Sequence, residues 1–158
     1  MPRPLSGVLF DLDGNLLDSA SGLYAALQLH CLEIGAPVPE YAPVRRVVSR
    51  GARAVLRTAF ADDDEATLLA RVPRYLEIYA SVMAQHGDRF EGVDSLLTAL
   101  EEASVPWGVV TNKAAFLTDP LLAGLGLGQR AAAVVSGDTL AQRKPDPAPV
   151  LHACTLAG

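Results

Sequence analysis

Near the N-terminus, the apolar run Gly7-Val8-Leu9-Phe10 ends abruptly in Asp11-Leu12-Asp13-Gly14, and this junction constrains the chain more than any other feature. A short apolar run bounded by a turn signal reads as a buried strand, here delivering two acids into the loop at its C-terminal end. Two carboxylates that close repel each other, and burial opposes their ionisation. A divalent cation, which takes hard oxygen ligands, removes both costs. A solvated Asp-x-Asp-Gly turn is the plain alternative. A calcium-binding helix–loop–helix is excluded, because Leu16-Leu17 follow where a further ligand belongs and no glutamate occupies the twelfth loop position.

Beyond this junction the pattern becomes helical from Ser21 to His86. Leu23, Leu27, His30, Cys31 and Ile34 share one face of a helix that Gly35-Ala36-Pro37 ends. Val44, Val47, Val48, Val55, Leu56 and Phe60 suggest a second helix or a pair, interrupted near Ser49-Arg50-Gly51, and Pro73 reads as the start of a third. Alternation then takes over: a helix around Leu96, Leu97 and Leu100, a strand Val105–Thr111, a helix Phe116–Leu125, a strand Ala132–Ser136, and a last helix capped by Asp146-Pro147. Strand–helix alternation at both ends predicts an α/β fold with a parallel sheet. The helical stretch reads as an insertion after the first strand, so residues 1–18 and 90–158 form the α/β core and 19–89 the inserted unit.

Charge and cysteine usage narrow the function classes. With 13 Lys+Arg against 18 Asp+Glu the chain carries a net charge of −5, which disfavours general nucleic-acid binding because phosphate neutralisation needs a basic surface. No stretch reaches the roughly 18 apolar residues of a membrane span, and Met1 to Ser6 lack a signal-peptide core. A cytoplasmic protein with no membrane partner is expected. Cys31 and Cys154 lack metal-type spacing and read as buried free thiols.

Three further residues extend the first junction. Thr111 and Asn112 follow the strand Val109-Val110, where open α/β sheets bind ligands. Lys144, beside Arg143, follows Gly137-Asp138 and precedes a capped helix. Singly, each reads more readily as a strand-end turn or a solvated loop residue. Together, carboxylates, a hydroxyl and a lysine converge on one rim of strand C-termini, the set that phosphoryl transfer to a carboxylate requires. Asp11 is the nucleophile and Asp13 the general acid and base. Thr111 and Lys144 donate to the phosphoryl oxygens, and Mg²⁺ offsets the repulsion between carboxylate and phosphate.

At this point the sequence resembles the haloacid dehalogenase superfamily. Val8-Leu9-Phe10-Asp11-Leu12-Asp13-Gly14-Asn15-Leu16-Leu17-Asp18-Ser19 resembles its first motif, with Asn15 where threonine is usual; Val110-Thr111-Asn112-Lys113 resembles the second, and Arg143-Lys144-Pro145-Asp146-Pro147 the third. The resemblance implies a Rossmann-like parallel core, a helical cap in the insertion, a Mg²⁺ site on Asp11 and Asp13, and a small-molecule phosphate ester as substrate. Within the superfamily the chain is most similar to bacterial phosphoglycolate phosphatases. Trp107–Lys113 and Ser49–Ala54 are also similar to N-acetylmuramic acid 6-phosphate phosphatases. The resemblance makes the Ser49–Ala52 segment, with Arg50 and Gly51, a substrate-contact candidate, Arg50 being suited to a substrate carboxylate. Asn112, an amide at a strand end, is the other substrate-binding candidate.

One part of the resemblance has no counterpart. The superfamily's fourth motif, an acidic segment that completes the metal site after a further strand, is not present before Gly158. The expected core is therefore C-terminally incomplete, with its first strand at an open edge. A truncated, non-catalytic remnant is the contrasting reading. Gly137-Asp138 precedes Lys144 and belongs to the third-motif loop; Asp138 serves as a substitute ligand only if that loop folds inward.

Overall fold

A computed structural model describes residues 5–158, so the first four residues of the leader-peptide reading lie outside the described part. The chain divides into two compact units, one running through Leu17 and resuming at Arg89–Gly158, the other Asp18–Asp88. It passes between them within two-residue strands, β2 (Leu17–Asp18) and β3 (Asp88–Arg89), which pair with each other. No helix among the described residues is long and apolar enough to cross a membrane.

The first unit is α/β. Strands β1 (Val8–Phe10), β4 (Trp107–Val110) and β5 (Ala133–Val135) form a parallel sheet in the order β1-β4-β5, so β1 is an edge strand. The register pairs Phe10 with Val109 and Val110 with Val135. The strands therefore end at nearly one level, and the residues that follow them emerge together. All four residues of β4 are buried, as expected of a strand covered on both faces. Val110, Ala133, Val135 and Ala153 of α7 (Ala148–Ala157) form one apolar cluster. Trp107 meets Phe10 edge to face at 6.4 Å and donates its indole N–H to Glu101 of α5 (Val93–Glu102) at 3.0 Å. Helix α6 (Ala115–Gly124) completes the unit. Its ends lie one residue before those expected, and α7 starts as expected, with Asp146 Oδ1 accepting the Ala148 N–H at 2.8 Å.

The second unit is helical. It contains α1 (Ala20–Glu33), α2 (Tyr41–Arg45), a 3₁₀ turn Val48–Arg50, α3 (Ala52–Ala59) and α4 (Glu65–His86). Helix α1 packs on α4, and Gly22 allows it: a Cβ there would sit 3.1 Å from His86 Cβ and 3.3 Å from the Tyr79 ring. The Tyr75 hydroxyl crosses the same contact to donate to the Leu23 carbonyl at 2.9 Å.

Three expectations need correction. Pro73 does not begin a helix; it lies inside α4, which starts at the Asp64 cap, where Oδ1 accepts the Thr67 N–H at 2.7 Å. An interior proline costs about 3 kcal/mol. Burial of Leu68, Tyr75, Ile78, Tyr79 and Met83, at roughly 1.5–3 kcal/mol per side chain, outweighs it. Ile34 lies just past α1 and is exposed, so the apolar face ends at Cys31. Cys31 is buried as expected, but Cys154 is exposed on α7.

His30 is the second unit's anomaly. It is buried, neither ring nitrogen has a hydrogen-bond partner, and its ring meets Phe60 edge to face at 5.8 Å. Burial lowers its pKa, and the neighbouring Arg71, whose guanidinium lies over the Phe60 ring, lowers it further. Glu33 acts in the opposite sense, and Arg74 again lowers it. The unfolded chain therefore binds a proton at this site before the folded chain does. Stability is fully present above the ordinary value of 6.5 and is lost as pH falls below it. Comparing urea midpoints at neutral and mildly acidic pH should show this loss, and His30→Leu should reduce it. An unchanged pH dependence in the variant would remove His30 as its source.

Candidate active site

The level strand ends place five of the sequence candidates, Asp11, Asp13, Thr111, Asn112 and Lys144, in one unit. Asp11 directly follows β1, and its Oδ1 accepts the Leu12 N–H at 2.8 Å. The Lys144 ammonium lies 3.0 Å from the same oxygen and donates to the Val110 carbonyl at 2.6 Å. Lys144 thus ties the end of β1 to the end of β4. The Asp11 carboxylate remains half exposed, accessible to a reactant, while Lys144 is three-quarters covered.

Thr111 continues the β4 ladder, donating its backbone N–H to Val135 at 2.9 Å, and is buried. Its Oγ1 accepts the Lys113 N–H at 3.1 Å, and the hydroxyl proton remains a donor. Asn112 turns its amide to Lys144: Nδ2 donates to the Lys144 carbonyl at 2.9 Å and Oδ1 accepts the Lys144 N–H at 3.0 Å.

Lys113 was not singled out from the sequence. Its side chain is almost wholly buried, with Nζ 3.1 Å from Asp13 Oδ1. That oxygen is cut off from solvent and lies off the line of a good hydrogen bond, so the pair meets in charge more than in direction. The chain has only two lysines, and each faces one carboxylate of the Asp-x-Asp pair: Lys144 faces Asp11 and Lys113 faces Asp13. Rarity was the available signal, since arginine supplies every other cationic side chain.

The loops after β4 and β5 are stitched together. Gly137 donates its N–H to the Lys113 carbonyl at 2.8 Å. It lies so close to Asn112 that a Cβ would fall 2.1 Å from that residue's carbonyl oxygen, so glycine is required there. Asp138 caps α6, its Oδ1 accepting the Ala115 N–H at 2.8 Å. One oxygen of its carboxylate is thereby taken up by the start of α6.

No group of three or more histidine, cysteine or acidic side chains suited to a metal occurs among the described residues. Asp11 and Asp13 nevertheless supply the hard oxygens that Mg²⁺ takes, and that ion commonly uses one or two carboxylates and several waters. The donor chemistry fits the ion, and the Asp11 carboxylate is half exposed and accessible to one.

Arg50 and Gly51 lie in the helical unit. Gly51, with φ +88°, ends the 3₁₀ turn and begins α3. Arg45, Arg53, Arg57, Arg71 and Arg74 form ion pairs, and Arg46 donates to the Ala42 carbonyl. Among the described residues of this unit, the exposed Arg50 is the arginine without such a partner.

The sequence pattern of the haloacid dehalogenase-like hydrolases matches residues 8–158. The chain is 45% identical over 151 residues to a phosphoglycolate phosphatase of Xanthomonas campestris, an alignment covering 96% of this chain and 68% of that protein. It is 41% identical over 151 residues to an N-acetylmuramic acid 6-phosphate phosphatase of Pseudomonas putida, covering 95% and 68%. The crystal structure of a predicted phosphoglycolate phosphatase from Haemophilus somnus superposes with a TM-score of 0.83 at 22% identity, covering 96% of this chain and 71% of that one. That last likeness is one of fold.

Proposed function

This chain belongs to the haloacid dehalogenase-like hydrolases, and from that premise we propose that its strand-end site hydrolyses a small phosphate monoester through an aspartyl phosphate. The observation that carries the reading is the Lys144 ammonium, held between Asp11 Oδ1 and the Val110 carbonyl beside a half-exposed carboxylate. Asp11 attacks phosphorus, forming the acyl phosphate as the ester oxygen departs. Asp13 gives a proton to the leaving alkoxide and then takes one from the water that releases phosphate. Thr111 and Lys144 donate to the phosphoryl oxygens as charge spreads over them. Asp11, with Asp13, would hold Mg²⁺, which when bound offsets the repulsion between carboxylate and phosphate.

Residues 19–89 form the cap in this reading, and Arg50 with Gly51 contributes to substrate choice. An exposed guanidinium with no carboxylate of its own is suited to take a substrate carboxylate bidentately. Phosphoglycolate and N-acetylmuramic acid 6-phosphate both carry one. The relatives bearing those two names support a carboxylated phosphate ester, with phosphoglycolate first.

The test is phosphate release from both esters and from an aryl phosphate, with Mg²⁺ or with a chelator. Metal-dependent release exceeding that of Asp11→Asn is expected. Its absence on all three substrates overturns the enzyme reading in favour of a non-catalytic chain. Arg50→Ala should lower kcat/KM on the carboxylated esters by roughly tenfold or more, the scale of losing one charge-assisted pair. The aryl phosphate should change little. Equal losses on all substrates would remove Arg50 from substrate choice.

A further inference from the structure

The fold leaves Lys144 an unsolved problem. Its ammonium must stay at the end of β4, yet its backbone belongs to the irregular stretch between β5 and α7. A lysine side chain has four rotatable bonds, so an unanchored backbone would spread the ammonium over many positions. Both backbone polar groups of Lys144 are taken by one side chain, that of Asn112, at 2.9 and 3.0 Å.

We propose that Asn112 is a positioning residue, whose amide clasps the Lys144 backbone and thereby sets where the Lys144 ammonium sits. The two bonds are reciprocal, donor to carbonyl and acceptor to N–H, so only one orientation of the amide satisfies both. Asn112 is itself seated on the sheet. Thr111 before it bonds Val135, the Lys113 carbonyl after it accepts from Gly137, and the Gly137 backbone lies against its own carbonyl. The position of β4 is thus passed through one amide to a residue 32 positions further along the chain. Of the alternatives at this position, aspartate keeps the acceptor and loses the donor, and alanine loses both. The catalytic meaning of the clasp rests on the phosphatase reading; the clasp itself does not.

The two-lysine composition makes the test specific. The chain labelled with ¹³C-lysine gives two side-chain ε-methylene signals, assigned with Lys113→Arg and Lys144→Arg. Asn112→Ala should move the Lys144 signal toward that of an unrestrained lysine, with the Lys113 signal keeping its position beside Asp13. Asn112→Asp should fall between the alanine variant and the unaltered chain. An unmoved Lys144 signal in a folded variant overturns the clasp. Hydrogen exchange at the Lys144 N–H, read on the unaltered chain, needs no variant; an unprotected amide there also overturns it.

The kinetic arm separates positioning from substrate contact. Asn112→Ala should lower kcat by roughly 10- to 100-fold, less than outright loss of a transition-state donor. KM should change little, and adding Lys144→Ala should cost no more than Lys144→Ala alone. Additive losses, or a loss confined to KM, would mean that Asn112 touches substrate directly. Absence of turnover in the unaltered chain would defeat the phosphatase reading and leave the two NMR results to decide the clasp.

Discussion

Asp11→Asn is expected to reduce phosphate-ester turnover on the order of 10⁴- to 10⁶-fold, the scale seen when a covalent nucleophile is removed. The amide has nearly the carboxylate's shape and keeps an oxygen for the Leu12 N–H that now bonds Asp11 Oδ1. It lacks the charge that faces Lys144 and is a poor nucleophile toward phosphorus. Because the Asp11 side chain is 51% exposed, losing its ion pair should alter stability by no more than about 1 kcal/mol. Kinetics and urea unfolding on one preparation therefore separate the two explanations. Turnover within tenfold of the unaltered chain, in a normally folded variant, would end the assignment of Asp11 as nucleophile.

Lys144→Ala should lower kcat by about 10²- to 10³-fold, as for loss of one preorganised donor. Its ammonium already stands between Asp11 and the end of β4, so in the proposed mechanism no reorganisation is needed when charge develops on the phosphoryl group. Lys144→Arg should recover only part of the loss, because a planar guanidinium does not fill the place of a compact ammonium. Thr111→Val should be milder, since it removes one uncharged donor. A Lys144→Ala effect confined to KM would place the lysine outside the chemistry.

The place of the candidate site was legible where it coincided with an interruption of pattern. Asp11 and Asp13 break an apolar strand, and Thr111 ends another, so alternation alone pointed to the rim on which Asp11, Thr111 and Lys144 now meet. The partners of those residues were not legible. That Lys113 faces Asp13 depends on parallel register, Phe10 beside Val109, which one sequence does not specify. Asn112 was read for its amide and its place at a strand end. Its engagement with Lys144 spans 32 residues of chain and required the fold. Pro73 misled for a different reason. Proline favours a helix start, but the Asp64 cap and the buried face of α4 together override that local preference.

The lysine pairing also governs how the molecule can be handled chemically. Amine-directed esters and amine coupling to a surface can reach only the chain terminus and two lysine side chains, both of which face the Asp-x-Asp pair. Lys144, with 25% of its side chain exposed, will react before Lys113 with 5%, so a reporter attached through a lysine occupies the position it was meant to observe. The exposed thiol of Cys154 on α7 provides the orthogonal handle: Cys31 is buried, and a thiol-directed probe leaves both ammonium groups intact.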